Sequence, residues 1–548
     1  MAQSDVRGEA PAVDDTMSLA PQASNASDGS GRNGGGRRKG GSKTDGRRRR
    51  RRALRWSATV LAVVILGTAG AGYLYYEHLN GNIRKGERSS GDDSKAHRTP
   101  ANAAGQTPLN ILLIGSDSRN SDENVKLGGS KDSRGNPPLG DVQMLIHLSA
   151  DRKSAAMVSI PRDTRVAIPQ CKDPRTGKVY AATNDIINTS LARGGAGCTL
   201  ATWENLTGVY IDHWMTIDFA GVVSMAHAIG GVEVCVNQNV WDHSTPAQRG
   251  GSGLKMKAGK HKVDDVQALQ WLRTRHAWGS DLMRARAQHM YLNSMIRTLK
   301  SQSVFSDTGR LMDLAEAATK SLQVSEEIGT VKKLYDLGME LKSVPSDRIT
   351  SVTMPNVKDS LNSEHVVPDK ANADRLWEML RDDVPFDKNG KTSGAKQVAS
   401  KSKAKTPSVD PGRLGVLVQN ATQTSTEAPV PNRARTITEV LGQQGYSRAA
   451  ADTSGAAKPA DETVVQYPSA ELEGDAQAVA KALGIPMSAV KRSTDVSGVT
   501  VVVGADWRTG TAYPKQKAPK AGDLPSGSDA INGSDSSQCM DVYKPYQW

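Results

Sequence analysis

From Leu109 to Gly115 the chain reads LNILLIG, an almost unbroken apolar run. Runs of this length and composition form strands buried on both faces. Val142–Leu148, Ala155–Ile160, Val232–Val236 and Ile349–Met354 have the same character and are predicted as strands. Between them the apolar period lengthens. Leu282, Ala285, His289, Leu292, Ile296 and Leu299 fall on one helical face, with Asp281 at the N-cap position. Asp264 and Asp265 start a helix leading to Arg273, Leu311–Leu341 reads as two covering helices, and a helix over Asn372–Leu380 closes the domain. Strands interleaved with helices predict an α/β domain over 107–383. After a basic, apolar-poor linker at 384–411, the pattern resumes at Leu414–Val418, Ile437–Leu441, Val464–Tyr467, Ala476–Leu483 and Val499–Gly504. That order predicts a smaller α/β module over 412–507. Residues 508–548 carry no such period and are expected to be a disordered tail.

The N-terminal pattern differs. Residues 1–55 are Gly-, Ser-, Ala- and Asp-rich, then end in the arginine run Arg47–Arg52 with Arg55 beyond. They are expected to be disordered. Ala58–Tyr76 contains no charge and suffices to cross a bilayer. A cleaved signal peptide would use Ala69-Gly70-Ala71, but the uncharged stretch is long for that role. The expectation is an uncleaved transmembrane helix at 56–77. Arginines before it place the N-terminus in the cytoplasm, and Tyr73, Tyr75 and Tyr76 sit where an interfacial aromatic belt belongs. Everything after Glu77 is then extracellular, beginning with a polar stalk at 78–106.

A formal net charge of +12 points to anionic partners. The topology excludes nucleic acid, and aromatics at 4% offer little for base stacking. His147, His213, His227, His243, His261 and His276 show no metal-ligand spacing and read as structural or surface residues. The four cysteines fit an oxidising compartment. Cys171 and Cys198 flank a Gly-rich segment and are the favoured disulfide, Cys235 reads as a buried thiol in a strand, and Cys539 lies in the tail.

The candidate chemistry gathers at strand ends. The first strand runs into Asp117 and Arg119, Asp141 opens the second, and the third runs into Arg162 and Asp163. Near mid-chain, Arg273 and Arg275 alternate, so an extended segment would point both to one side. Arg284 and Gln288, four apart, share a helix face near its N-terminus. Singly these are turn, cap or solvated residues. Together, carboxylates and guanidinium groups suit a divalent cation bridging to phosphate.

The segments NILLIGSDSR (110–119), Asp141 with its strand, SIPRDT (159–164), ENLTGVYIDHWMTIDFAG (204–221), AIGGVEV (228–234), ALQWLRTR (268–275) and DLMRARAQ (281–288) resemble the LytR-CpsA-Psr family of cell-wall glycopolymer ligases. The resemblance implies an α/β/α domain with a mixed central sheet and a hydrophobic groove. It implies a Mg²⁺-dependent phosphotransferase, with a pyrophosphatase side activity. The enzyme would move a glycan phosphate from a polyprenyl-pyrophosphate carrier at the cytoplasmic membrane to the muramic acid C6 hydroxyl of peptidoglycan. Asp117 and Asp141 would then hold Mg²⁺. Arg162, Arg273, Arg275 and Arg284 would neutralise the pyrophosphate, with Gln288 orienting it and Arg119 binding substrate. The base would be Asp163 or a metal-bound carboxylate. The family usually has an arginine two residues before its second aspartate. Here that residue is Leu139, with Lys131 or Arg134 as replacements from the loop. The 412–507 module resembles the LytR C-terminal domain through VLVQNAT and VTVVVGADW. Some family members carry a transcription-attenuator label, so the alternative is a non-catalytic lipid-binding, wall-binding or regulatory protein.

Overall fold

The computed structural model describes residues 44–91, 96–102, 104–128, 134–246, 248–301, 307–390, 405–423, 427–455, 457–460, 462–514 and 518–548. The chain divides into two units, Met1–Gly72 and Tyr73–Trp548. A helix over Thr44–Asn82 contains the arginine run and the apolar stretch. It is the one helix among the described residues long and apolar enough to cross a membrane. The arginines are thus helical where disorder was expected. Arginine is a good helix former, and here it continues directly into a strongly helical apolar run. The part of the expected disorder over 1–43 lies outside the described residues.

The second unit is built on an eight-stranded mixed sheet. Its order is Arg84–Gly86, Leu322–Ser325, His213–Ile217, Leu109–Ser116, Gly140–Leu148, Ala155–Ser159, Ile349–Thr353 and Ile531–Asn532. The period-2 alternation of the central strands sorts their side chains into two cores. Leu112, Ile114, Leu145, Ala156 and Val158 pack with residues of the Ser190–Thr207 and Lys370–Arg381 helices, including Trp203, Leu376 and Trp377. Ile111, Met144, Ile146 and Met157 face the other way, with Ile296 and Leu341 of the Asp281–Ser301 and Val331–Ser343 helices. This is the expected α/β/α domain. A third cluster joins the Phe219–Ile229 helix, the 232–263 hairpins and Trp271, Trp278 and Tyr291. The Cys171–Cys198 disulfide forms as expected.

Four expectations change. The stalk is part of the fold. Leu79 and Ile83 are buried, and Arg84–Gly86 is an edge strand. Arg88 reaches the fully buried Glu204 at 2.8 Å, and Arg98 pairs with Asp212 at 2.8 Å. Those buried carboxylates need cations, which no local polarity pattern reveals. The tail, too, is ordered over 518–548. Ile531–Asn532 adds the last strand of the main sheet, and Met540, Val542 and Tyr546 enter the third core. Cys235 is accordingly not a free thiol but pairs with Cys539. Its partner is 304 residues away, beyond the reach of any sequence spacing rule. The linker is also shorter than expected. Val384 and Phe386 are buried, and Asp387 binds Arg348 at 2.7 Å.

The C-terminal module has a five-stranded sheet in the order Ala449–Ala451, Val416–Asn420, Val499–Val503, Val464–Tyr467 and Val490–Arg492. Its Arg433–Gln443 and Glu473–Leu483 helices cover a separate apolar core.

Candidate active site

A groove of about 490 Å³ opens where the strand ends meet the mid-chain arginines. Its wall includes the apolar residues Leu113, Met144, Met215, Met225, Leu292 and Met295. The same wall carries Arg119, Arg162, Arg273, Arg275 and Arg284, with Asp141 and Gln288. Residues more than 160 positions apart in sequence therefore converge as the strand ends and the helix spacing required.

The guanidinium groups are held by fixed partners. Arg162 donates to Asp141 at 3.0 Å and to Asp163 at 3.4 Å. Asp281 receives two arginines, Arg275 on Oδ2 at 2.8 Å and Arg284 on Oδ1 at 3.0 Å. Arg273 donates to the Leu127 carbonyl at 2.7 Å and stacks over Phe219, its Cζ 4.7 Å from the ring centre. Gln288 Nε2 donates to the Leu272 carbonyl at 3.2 Å. Arg119 packs close to Gly128, where an added Cβ would meet its Nε at 2.9 Å. Burial lowers the proton affinity of Arg273 and of Arg284. An arginine remains charged through any such shift, so these groups hold charge and do not move protons.

Several local expectations are corrected. The segment carrying Arg273 is helical, Asp265–Arg273, not extended. Arg275 still reaches the groove because the chain leaves that helix at Thr274, whose backbone is extended. Asp281 does not cap the next helix. Ser280 does, its Oγ accepting from Met283 N–H at 3.2 Å, which leaves Asp281 free to bind the two arginines. Leu282, expected on the apolar face, is 41% exposed. Arg134 does not substitute for an arginine at Leu139, because it pairs with Asp122. Lys131 lies outside the described residues. Leu139 instead fixes Asp117 through its backbone. Its N–H donates to Asp117 Oδ1 at 2.7 Å, and its carbonyl accepts from Asp117 N–H at 3.1 Å.

Asp117 and Asp163 are not on the groove wall. Burial raises the proton affinity of Asp117, and the neighbouring Asp141 adds to it, against the Leu139 hydrogen bond and Arg119. Burial also raises Asp163, against Arg162. Among the described residues no group of three or more His, Cys, Asp or Glu side chains forms a metal cage. Asp117 and Asp141 are hard oxygen donors close enough that the charge of Asp141 opposes ionisation of Asp117, a repulsion that a divalent cation would relieve. Asp163 faces Arg162, whose Nε lies 3.4 Å from its Oδ2.

Sequence reasoning missed Asp281 as a hub, and Asp242, Ser252 and His276 on the wall. The three-residue spacing from Asp281 to Arg284 was a signal for the first. Nothing local marks the others. The remaining expectation for histidine holds at His147, which is buried and bridges Asn110 at 2.7 Å and Asp383 at 3.1 Å.

The LytR-CpsA-Psr family model matches residues 73–382, and a second model, described as LytR cell envelope-related transcriptional attenuator, matches residues 413–507. The cell wall biosynthesis protein LcpA of Corynebacterium glutamicum is 27% identical over 323 residues, covering 54% of this chain and 58% of LcpA. TagT of Bacillus subtilis, a polyisoprenyl-teichoic acid–peptidoglycan teichoic acid transferase, is 26% identical over 295 residues, covering 54% of this chain and 84% of TagT. The crystal structure of B. subtilis TagV aligns with 51% of this chain and 97% of its own at 23% identity and a TM-score of 0.39. With the first model spanning more than half its length, the chain belongs to the LytR-CpsA-Psr family.

Proposed function

We propose that this chain is a membrane-anchored phosphotransferase that moves a glycan phosphate from a polyprenyl-pyrophosphate carrier to peptidoglycan. The observation that carries the reading is a single groove joining an apolar wall to five arginines and the carboxylates of Asp141, Asp218 and Asp242. A polyprenyl pyrophosphate has the same two parts. The names of TagT and TagV as teichoic acid transferases support the substrate class.

In this reading an acceptor hydroxyl attacks the phosphorus that bears the glycan, its proton passes to Asp163 or to a metal-bound carboxylate, and the bond to the departing polyprenyl phosphate breaks. Charge grows on the phosphoryl and leaving oxygens. Arg162, Arg275 and Arg284 meet it with N–H donors already aligned by Asp141, Asp163 and Asp281, so little reorganisation is needed at the moment of reaction. Arg273, held by a carbonyl and an aromatic face, adds charge from the same wall. Arg119 and Gln288 orient the pyrophosphate. Asp117 and Asp141 would hold Mg²⁺, which when bound supplies positive charge against the phosphate oxygens. The apolar helix anchors the chain beside its lipid carrier, and the preceding arginines keep the N-terminus cytoplasmic and the folded unit outside.

The test uses the full chain in lipid nanodiscs with a labelled polyprenyl-pyrophosphate glycan, Mg²⁺ and peptidoglycan. Label should move to peptidoglycan as polyprenyl phosphate is released. Tight donor binding without release would replace the enzyme with a lipid-binding protein.

A further inference from the structure

Three polar residues of the groove wall, Asp242, Ser252 and His276, take no part in holding the guanidinium groups. Asp242 is 1% exposed; its Oδ2 accepts from Ser252 N–H at 2.8 Å, while its buried Oδ1 has no partner. The His276 Nδ1 is likewise buried and unpartnered. Buried polar atoms without hydrogen bonds cost free energy that a polar ligand would remove.

From His276 a line of rings leads outward. Tyr546 lies 6.1 Å from His276 and 5.9 Å from His243, which stacks on Trp241 at 4.1 Å. Lys255 bridges Trp241 and Trp548 at 4.6 and 4.7 Å. Trp548 is 49% and Tyr543 56% exposed. Both are fixed to the site's own elements. Trp548 Nε1 donates to the Val240 carbonyl at 3.0 Å, and Tyr543 N–H to the Ala277 carbonyl at 2.8 Å. A ligand that presents hydroxyls to a carboxylate and a ring nitrogen, then C–H faces to aromatic rings, is a saccharide chain.

We propose that Asp242 and His276 bind the hydroxyls of the acceptor sugar, and that Tyr543 and Trp548 carry the next sugars of the same glycan strand. The inference rests on the transferase reading above and names its acceptor subsite. A lipid surface would also accept the exposed aromatics, but acyl chains offer no hydrogen bond to Asp242 or His276.

The experiment measures calorimetric binding of soluble, uncrosslinked peptidoglycan glycan strands to the full chain, beside binding of polyprenyl pyrophosphate. Asp242→Asn keeps the side-chain shape and an acceptor for Ser252. It should weaken strand binding on the order of tenfold, the loss of one charge-assisted hydrogen bond, and leave polyprenyl pyrophosphate unchanged. Trp548→Ala should weaken the strand several-fold without moving the melting temperature, and it decides the matter if Asp242→Asn melts early. No strand binding by the wild type, undiminished strand binding by both variants, or joint loss of polyprenyl pyrophosphate in Asp242→Asn would overturn the proposal. So would a Trp548→Ala variant that loses phosphatidylglycerol vesicles but keeps the strand. Because binding is read without turnover, strand binding in a chain that never transfers glycan would reject the transferase and keep the subsite.

Discussion

Asp281 binds Arg275 and Arg284 at once, so one carboxylate sets the position of two charges on the groove wall. Arg275→Ala should lower transfer on the order of 10²–10³-fold, the usual cost of removing one electrostatic stabiliser. Arg275→Lys should recover only part, since an ammonium cannot reproduce the planar fork that meets Asp281 and phosphate together. The Arg275 side chain is 41% exposed, so the melting temperature should stay near wild type, and a collapsed melt would assign Arg275 to folding instead. Asp117 gives the opposite signature. Its folded-state proton affinity is raised by burial. Its contribution to stability is therefore present below the unfolded carboxylate range and lost as pH rises through the raised value. Asp117→Asn removes a carboxylate whose charged form burial disfavours, so it should melt a few degrees higher at pH 7.5, with the gain shrinking as pH falls toward that range. Mg²⁺ should raise the wild-type melting temperature and not that of Asp117→Asn. A lower melt for Asp117→Asn at pH 7.5 would mean that the charge is favourably paired in the fold.

At the scale of elements, the tail is the segment whose role changed most. Arg286 lies two residues past Arg284 and faces away from the groove, as helix geometry requires. It meets Asp529 and Gln538 of the tail. Arg297 donates to the Gly533 carbonyl at 2.7 Å, and Cys539 is tied to Cys235. Arg286→Ala should therefore retain transfer but lose about 1 kcal/mol of stability, the scale of a partly exposed ion pair. Truncation after Asn389 should melt well below the full chain, because it removes a sheet strand and a disulfide that typically contributes about 2–5 kcal/mol. Replacing 405–514 by a flexible linker while keeping 518–548 should restore much of the loss. Equal melts for the two deletions would show that the tail contributes nothing to the core.

For the molecule as a whole, the prediction concerns topology. Protease added to intact protoplasts should digest the chain after Glu77 and spare the arginine run. Protection of the folded unit would reverse the orientation and separate it from any extracellular acceptor.

The central strands, the division into a large and a small α/β module, the membrane-length apolar run and the identity of the arginines and aspartates were all legible in the sequence. Each is written locally, as a period of apolar residues or a motif at fixed spacing, and local free energies suffice to read it. The tertiary structure alone decided the rest. It recruited 84–86 and 531–532 as the sheet's two edges, although neither segment has an apolar period long enough to signal a strand. It paired Cys235 with Cys539, gave Arg286 to the tail and turned Asp281 from a cap into a clamp. These outcomes depend on which distant groups arrive beside a buried charge or an unpaired strand edge. Such partners are set by chain topology, and a segment's own composition carries no record of them.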